Sequence, residues 1–143
     1  MCNISVIIPF YKGNKYLTGL KQSLENACIS YEGKVEVIVV NDSPNEKIEK
    51  TLIQSEKYDL VIVEHDVNYG IHKARVTGIG KAKGEYILLL DQDDKIKNEF
   101  FKEMCVPLNN NKSIAFAFGI GEGQEYLRLK DTSASIAYVC SVL

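Results

Sequence analysis

Three carboxylates lie within four residues of one another in the segment Asp91-Gln92-Asp93-Asp94. The segment follows the apolar run 86–90, which is typical of a strand buried on both faces of a sheet. Carboxylates this close repel one another unless they share a cation, and Mg²⁺ takes such oxygen ligands and bridges to phosphates. The pattern therefore predicts a metal site. An acidic turn that ends the strand and caps the next helix is the alternative interpretation.

Two other predicted strands also run into residues that could bind a ligand. The first ends at Pro9 and Tyr11, and the second ends at Asp42. Ligands of open parallel sheets bind beyond the carboxyl ends of the strands, so these residues and the acidic segment should line one crevice. Arg75, on the helix before the acidic strand, could add a bidentate phosphate contact. A turn carboxylate at Asp42 and a solvated side chain at Arg75 are the alternatives.

Strand and helix patterns alternate along the chain. The predicted strands are 4–10, 35–40, 60–63, 86–90, 113–118, 126–129 and 136–143. The predicted helices begin after Gly13, after Pro44, at Ile71 and at Glu99, and a turn is the alternative at Pro44. This alternation predicts βαβ units, hence an α/β fold with a mostly parallel sheet flanked by helices on both faces. No linker or repeat interrupts the pattern, so we expect a single domain over 1–143.

Several residues should mark the ends of these elements. Asn14 is predicted to cap the first helix, Gly84 to end the third after Lys83, and Pro107 to end the fourth. Gly78 inside the third helix indicates close packing against the sheet or a ligand. The last strand would leave an apolar edge that invites a homodimer.

Composition restricts the class of protein. The chain has 143 residues, 45% of them hydrophobic and 25% charged, with a net charge of −2, so the charge does not favour a nucleic-acid partner. Its four cysteines are widely spaced, which argues against a zinc site or a disulfide framework. No signal peptide or transmembrane segment is recognisable. We expect a cytoplasmic protein that could work at the inner face of the membrane.

Four motifs in order resemble the family 2 glycosyltransferases, whose fold is called GT-A. They are VIIPFY at 6–11, VIVVNDS at 37–43, N-x-G-x-x-x-A-R at 68–75 and GEYILLLDQDD at 84–94. The resemblance covers roughly residues 4–100. Neither G-x-G-x-x-G nor a P-loop motif follows the first strand, which argues against a dinucleotide-binding site or a P-loop nucleotide site of the usual kind.

The resemblance implies a role for each matching position. Pro9 and Tyr11 would border a uracil pocket, Asp42 would hydrogen-bond the base, and Asp91 would touch ribose or sugar. The positions assigned to the nucleotide sugar are Pro9, Tyr11, Asp42, Asn68, Gly70, Arg75, Asp91 and Gln92. Asp93, with or without Asp94, would hold Mg²⁺ or Mn²⁺ against the diphosphate.

The reaction implied is transfer of a sugar from a nucleotide-diphosphate donor, a UDP-sugar, to a hydroxyl of a carbohydrate or lipid-linked acceptor. The resemblance also implies that the transfer inverts the configuration of the sugar and that the reaction serves the synthesis of surface polysaccharide. Val76 stands where the family pattern has Asn. No carboxylate after Leu108 matches the catalytic base, although Glu122, Glu125 and Asp131 lie there.

Two alternatives stay open. Family members are longer, so we expect a chain truncated in its acceptor-binding part, which could be a nucleotide-sugar-binding domain without transfer activity. A protein-interaction module on an α/β scaffold is the other alternative. His65 and His72 flank the Asn68 loop, and we expect both to lie outside the site.

Overall fold

The central strand, β1, spans Ile4–Phe10, and all of its residues are buried. A strand that is apolar on both faces suits the middle of a parallel sheet, because neighbouring side chains point to opposite sides. The computed structural model of the chain describes residues 3–111, 116–118 and 138–141. Within them, β1 pairs in parallel with a strand on each side.

The described elements alternate in the predicted way. The other strands are β2 (Val35–Asn41), β3 (Asp59–Glu64), β4 (Tyr86–Leu89), β5 (Phe116–Phe118) and β6 (Tyr138–Ser141). The helices are α1 (Asn14–Ile29), α2 (Ile71–Ile79) and α3 (Phe100–Asn110). The strand order is β3-β2-β1-β4-β6-β5, parallel from β3 to β4 and antiparallel at β6.

Helices cover both faces of this sheet, as predicted. One core contains the side of β1 that carries Val6 and Ile8, packed against α1 and α3. The other contains Ile7, Ile38 and Ala74, which join β1 and β2 to α2. Alternate residues of β1 thus serve opposite cores, which explains why the whole strand is apolar.

Backbone pairing brings three carboxyl ends to one edge of the sheet. Phe10 pairs with Asn41 across β1 and β2, and Ile7 pairs with Leu89 across β1 and β4. The hydrogen bonding between β1 and β2 continues beyond the end of β2, because the amide of Asp42 donates to the carbonyl of Phe10 at 2.8 Å. The residues that follow β1, β2 and β4 therefore lie side by side.

The predicted second helix after Pro44 is wrong. Only a 3₁₀ turn at Lys50–Leu52 forms there. The side chain of Asn14 binds this segment's backbone instead, accepting from the amide of Glu49 and donating to the carbonyl of Lys47, both at 3.0 Å. Asn14 consequently does not cap its own helix, which begins without a side-chain cap.

The predicted ends of the later helices are also corrected. α2 ends at Ile79 rather than Lys83, because glycines at 78 and 80 weaken the helix. Gly84 instead lies against β1, where a β-carbon would be 2.6 Å from the amide nitrogen of Ser5. α3 continues through Pro107, and the buried side chain of Leu108 holds its last turn in place.

The last strand is not an edge. β6 lies between β4 and β5 and pairs with both, so the argument for a homodimer through this strand fails. The predicted strand at 126–129 lies outside the described residues. No helix in the described part of the chain is long and apolar enough to cross a membrane.

Gly78 should be irreplaceable, whereas Gly80 should not. A β-carbon at Gly78 would overlap Cγ2 of the buried Ile7, while one at Gly80 would meet nothing closer than 3.6 Å. We expect Gly78→Ala to lower the free energy of unfolding by about 1–3 kcal/mol through overpacking. Gly80→Ala is the matched control and should change it by less than about 1 kcal/mol. Urea unfolding of both variants measures this, and equal effects would contradict the packing argument.

Candidate functional site

A pocket of about 320 Å³ opens at the carboxyl edge of the sheet, where β1, β2 and β4 end. Its volume falls within the range of about 300–1,000 Å³ that is usual for small-molecule sites. The loop before α2 and the first turns of that helix close one side. The lining residues are Pro9, Phe10, Tyr11, Asp42, Asn68, Gly70, Ile71, Ala74, Asp91, Gln92 and Asp93.

Every predicted site residue lines this pocket except Arg75 and Asp94, and both of these lie next to it. Arg75 is paired with the lining residue Asp91, and the amide of Asp94 donates to the Asp91 carbonyl at 3.1 Å. The structure thus brings together residues that are far apart in the sequence. Their individual binding roles stay predictions.

Asp42 directly follows β2, and its carboxylate is almost fully buried. Its Oδ1 accepts from the amide of Tyr69 at 2.9 Å and lies 2.7 Å from Nδ1 of His65, while its Oδ2 accepts from the amide of Gly70 at 2.7 Å. Burial alone would raise the pKa of Asp42. The hydrogen bonds from His65 and the two amides outweigh burial and lower this pKa below its usual 3.8. Asp42 therefore carries its charge throughout the physiological pH range.

His65 does not line the pocket, in keeping with the prediction that placed it outside the site, but it contacts the lining residue Asp42, which the sequence did not predict. Its Nε2 lies 3.0 Å from Oγ1 of Thr77, so both ring nitrogens have partners. The ring also meets that of Tyr69 edge-on, with centroids 5.2 Å apart. The signal that could have revealed it is the parallel register of β2 and β3, which pairs Asn41 with Glu64 and so places Asp42 beside His65.

The loop before α2 takes its shape from Asn68 and Gly70. Oδ1 of Asn68 accepts from the amide of Gly70 at 2.9 Å, a turn that Asn side chains commonly stabilise. Gly70 has φ of +86°, a left-handed conformation that glycine adopts without steric cost. These two predicted residues therefore present the Gly70 amide to Asp42.

The acidic segment forms a tight turn after β4. Oδ1 of Asp91 pairs with Nη2 of Arg75 at 2.7 Å, and Nε of Arg75 is buried without a hydrogen-bond partner among the described residues. Partial desolvation, followed by the charges of Asp91 and Asp93, raises the pKa of Asp94. Negative charge is therefore in excess at this turn despite the arginine.

A divalent cation fits this turn only with further ligands. In the described ranges, no group of three or more His, Cys, Asp or Glu side chains could hold a metal ion alone. Mg²⁺ in phosphate sites usually takes one or two carboxylates and completes its shell with phosphate oxygens and water. Asp93 and Asp94 supply such a partial set. Desolvation first, and then the charges of Asp91 and Asp93, raise the pKa of Asp94, and a cation would counter the second of these causes.

The turn after β1 is tied to both neighbouring strand ends. The amide of Tyr11 donates to Oε1 of Gln92 at 2.9 Å, and the amide of Lys12 donates to Oγ of Ser43 at 2.8 Å. The ring of Tyr11 is left 45% exposed beside the pocket. An exposed aromatic ring at a pocket mouth is suited to stacking on a planar ligand.

A family model described as Glycosyl transferase family 2 matches residues 5–136, which is most of the chain. The chain belongs to glycosyl transferase family 2. Staphylococcus aureus TarS, a poly(ribitol-phosphate) beta-N-acetylglucosaminyltransferase, is 29% identical over 150 residues that cover 99% of this chain. The chain spans 26% of the TarS length, about a quarter of this curated relative.

Solved structures confirm the GT-A fold for this family 2 chain. S. aureus TarS 1-349 in complex with UDP superposes with a TM-score of 0.68 at 29% identity, covering 77% of this chain and 33% of that one. The mannosyltransferase PcManGT from Pyrobaculum calidifontis, in complex with GDP-Man and Mn²⁺, superposes with a TM-score of 0.63 at 17% identity, covering 83% of this chain and 35% of that one. At that identity the second likeness concerns the fold alone.

His65 should stabilise this family 2 domain, whereas His72 should not. His65→Ala removes a hydrogen bond from the buried Asp42 and another from Thr77, so we expect a loss of about 1–3 kcal/mol. His72 lies exposed on α2, and His72→Ala should stay within about 0.5 kcal/mol. Urea unfolding at pH 7 measures both, and equal stabilities would show that the His65 contacts contribute nothing.

The contribution of Asp42 should depend on pH. Its pKa is lowered by folding, so its stabilisation is complete above the unfolded value near 3.8 and is lost as pH falls through the folded value. We therefore expect Asp42→Asn to be destabilised relative to wild type at pH 7, with a gap that shrinks below pH about 4. Urea midpoints across this range test it, with the exposed Asp59→Asn as control. A gap independent of pH would contradict the assignment.

Proposed function

We propose that this chain binds a UDP-sugar in the pocket at the carboxyl edge and transfers the sugar to an acceptor hydroxyl. The observation that carries the proposal is the convergence of three strand ends, each with its polar residues, on one pocket. Sugar-nucleotide recognition needs a flat wall for the base and a cationic partner for the diphosphate. Tyr11 and Pro9 would supply the flat wall for the base, and the acidic turn would hold the cation that meets the diphosphate.

The relatives support the choice of nucleotide. TarS, 29% identical to this chain, is known in complex with UDP and with UDP-GlcNAc. Because the chain spans about a quarter of TarS, the donor and the activity of the whole protein are part of the proposal.

The base would bind beside Asp42. Oδ1 of this carboxylate already has two partners, whereas Oδ2 has one, the amide of Gly70. A carboxylate oxygen can accept more than one hydrogen bond, so Oδ2 retains capacity for the imide N–H of uracil. The low pKa of Asp42 keeps this oxygen a pure acceptor, which suits a base that presents a donor there.

The diphosphate would bind at the acidic turn. Asp93, with Asp94, would hold Mg²⁺ or Mn²⁺ together with phosphate oxygens, and Asp91 would contact ribose or sugar. The ion, when bound, acts as a Lewis acid that stabilises charge on the leaving diphosphate. Arg75 already bonds Asp91 and so fixes the carboxylate and adds positive charge next to it.

An inverting transfer also needs a base to deprotonate the acceptor hydroxyl. Of the three lining carboxylates, Asp42 and Asp91 already have hydrogen-bond partners, and Asp93 is assigned to the cation in this proposal. Glu122, Glu125 and Asp131 lie outside the described residues, so none of them is assigned as the base. A carbohydrate or lipid-linked acceptor would place the reaction at the inner face of the membrane, in the synthesis of surface polysaccharide.

A second candidate is a nucleotide-sugar-binding domain without transfer activity. The engagement of Asp42 and Asp91 favours it, since neither carboxylate is free to act as a base. The two candidates differ in turnover. Release of UDP from a UDP-sugar in the presence of an acceptor supports transfer, and binding without release supports the second candidate.

Calorimetric titration of UDP with and without Mn²⁺ tests the proposal. We expect binding that Mn²⁺ strengthens, and we expect Asp93→Ala to reduce the strengthening at least about tenfold because a ligand is lost. Asp59→Ala, which removes an exposed carboxylate on β3, should bind as wild type does. Absence of UDP binding under both conditions would contradict both candidate functions. Binding with an unaltered Mn²⁺ effect in Asp93→Ala would show that the acidic segment is only a turn.

A further inference from the structure

The side chain of Gln92 uses both ends of its amide on a single residue. Its Oε1 accepts from the amide of Tyr11 at 2.9 Å, and its Nε2 donates to the carbonyl of Tyr11 at 3.1 Å. This reciprocal pair reproduces the two bonds that directly opposed residues exchange in an antiparallel ladder. Gln92 therefore extends the sheet pairing between β1 and β4 by one side chain beyond the strands.

The turn after β1 is shaped to receive this amide. A β-carbon at Gly13 would lie 2.2 Å from Oε1 of Gln92, so a larger residue there would push the Gln92 amide out of the position in which it bonds Tyr11. Lys12 has φ of +49°, a conformation uncommon outside glycine, and its amide bonds Ser43 beyond β2. The turn after β1 is thus hydrogen-bonded on both sides, to Gln92 after β4 and to Ser43 after β2.

Gln92 also lies between the two carboxylates that face the diphosphate end of the pocket. The turn that contains it is closed by the bond from the Asp94 amide to the Asp91 carbonyl. Holding Gln92 therefore ties the turn that carries Asp91 and Asp93 to the backbone of Tyr11. A ligand that spans the pocket meets both ends of this unit.

We propose that Gln92 is a positioning residue, which clamps the base-binding wall at Tyr11 to the metal-binding turn and does not itself contact the nucleotide. This rests on the proposed function, because it takes Tyr11 and Asp93 as the two ends of a nucleotide site. It differs from the role that the sequence assigned to Gln92, which was direct contact with the nucleotide sugar.

The first test needs no nucleotide. Amide hydrogen exchange, followed by NMR, should show the Tyr11 amide protected in wild type and at least about tenfold less protected in Gln92→Ala, because its acceptor is gone. Gln92→Glu keeps an acceptor for the Tyr11 amide but places a second carboxylate oxygen, instead of a donor, against the Tyr11 carbonyl, so it should restore protection only in part. Gln22→Ala, an exposed glutamine on α1, is the matched control. Equal exchange in wild type and Gln92→Ala would overturn the clamp, whatever the nucleotide data show.

The second test measures affinity for uridine and for UDP with Mn²⁺. Losing the two bonds should weaken both by about tenfold in Gln92→Ala. Gln92→Glu should recover uridine affinity only in part, because it keeps the bond from the Tyr11 amide and loses the bond to the Tyr11 carbonyl. Gly13→Ala should weaken binding similarly, and the double variant should be no weaker than either single one, because both break the same contact.

The outcomes separate the two proposals. Weaker binding in Gln92→Ala with an unchanged Tyr11 amide would mean that Gln92 contacts the nucleotide directly, which overturns its positioning role. Additive losses in the double variant would do the same. If wild type binds neither uridine nor UDP, the proposed function fails, and with it the nucleotide role of the clamp, while the exchange data still decide whether the clamp exists.

Discussion

Parallel pairing of β1 with strands on both sides is the constraint on which the site depends. It aligns the carboxyl ends of β1, β2 and β4, so that backbone pairing alone makes neighbours of residues far apart in the sequence. The burial of β1 on both faces makes a slip of its register costly, because a slip by one residue would exchange the sides that meet α1 and α2. The same apolar residues that stabilise the core therefore determine the geometry of the pocket.

Charge at this edge is handled in two different ways. Asp42 is buried, and three hydrogen-bond partners, two of them backbone amides, stabilise its ionised form, so its charge costs little. The acidic turn is more exposed, and Arg75 pairs with Asp91, while the pKa of Asp94 is raised by desolvation and the neighbouring carboxylates. The charge of Asp42 is thus stabilised by contacts within the protein, whereas the acidic turn keeps an excess of negative charge. The proposed base site at Asp42 and the proposed cation site at the turn require this difference.

Hydrophobic patterning was enough to predict the parallel strands, three of the helices and the position of the crevice. Burial on two faces requires a continuous apolar run, which is visible in strands such as 4–10 and 86–90. The patterning failed after Pro44, where the polar side chain of Asn14 binds the backbone and displaces a helix. It also missed His65 and the pairing of Gln92 with Tyr11. Such polar contacts depend on which groups folding brings together across long sequence separations, and no local period encodes them.

The loop that holds Asp42 has a further consequence for how the sequence can change. Tyr69 serves this carboxylate through its backbone amide, so many side chains at that position would leave the electrostatics of Asp42 intact. Gly70 also serves through its amide, but its left-handed φ restricts the residue that can stand there. The two amides that bond Asp42 thus differ in how freely the sequence can change around them, since position 69 is free in its backbone requirement and position 70 is not.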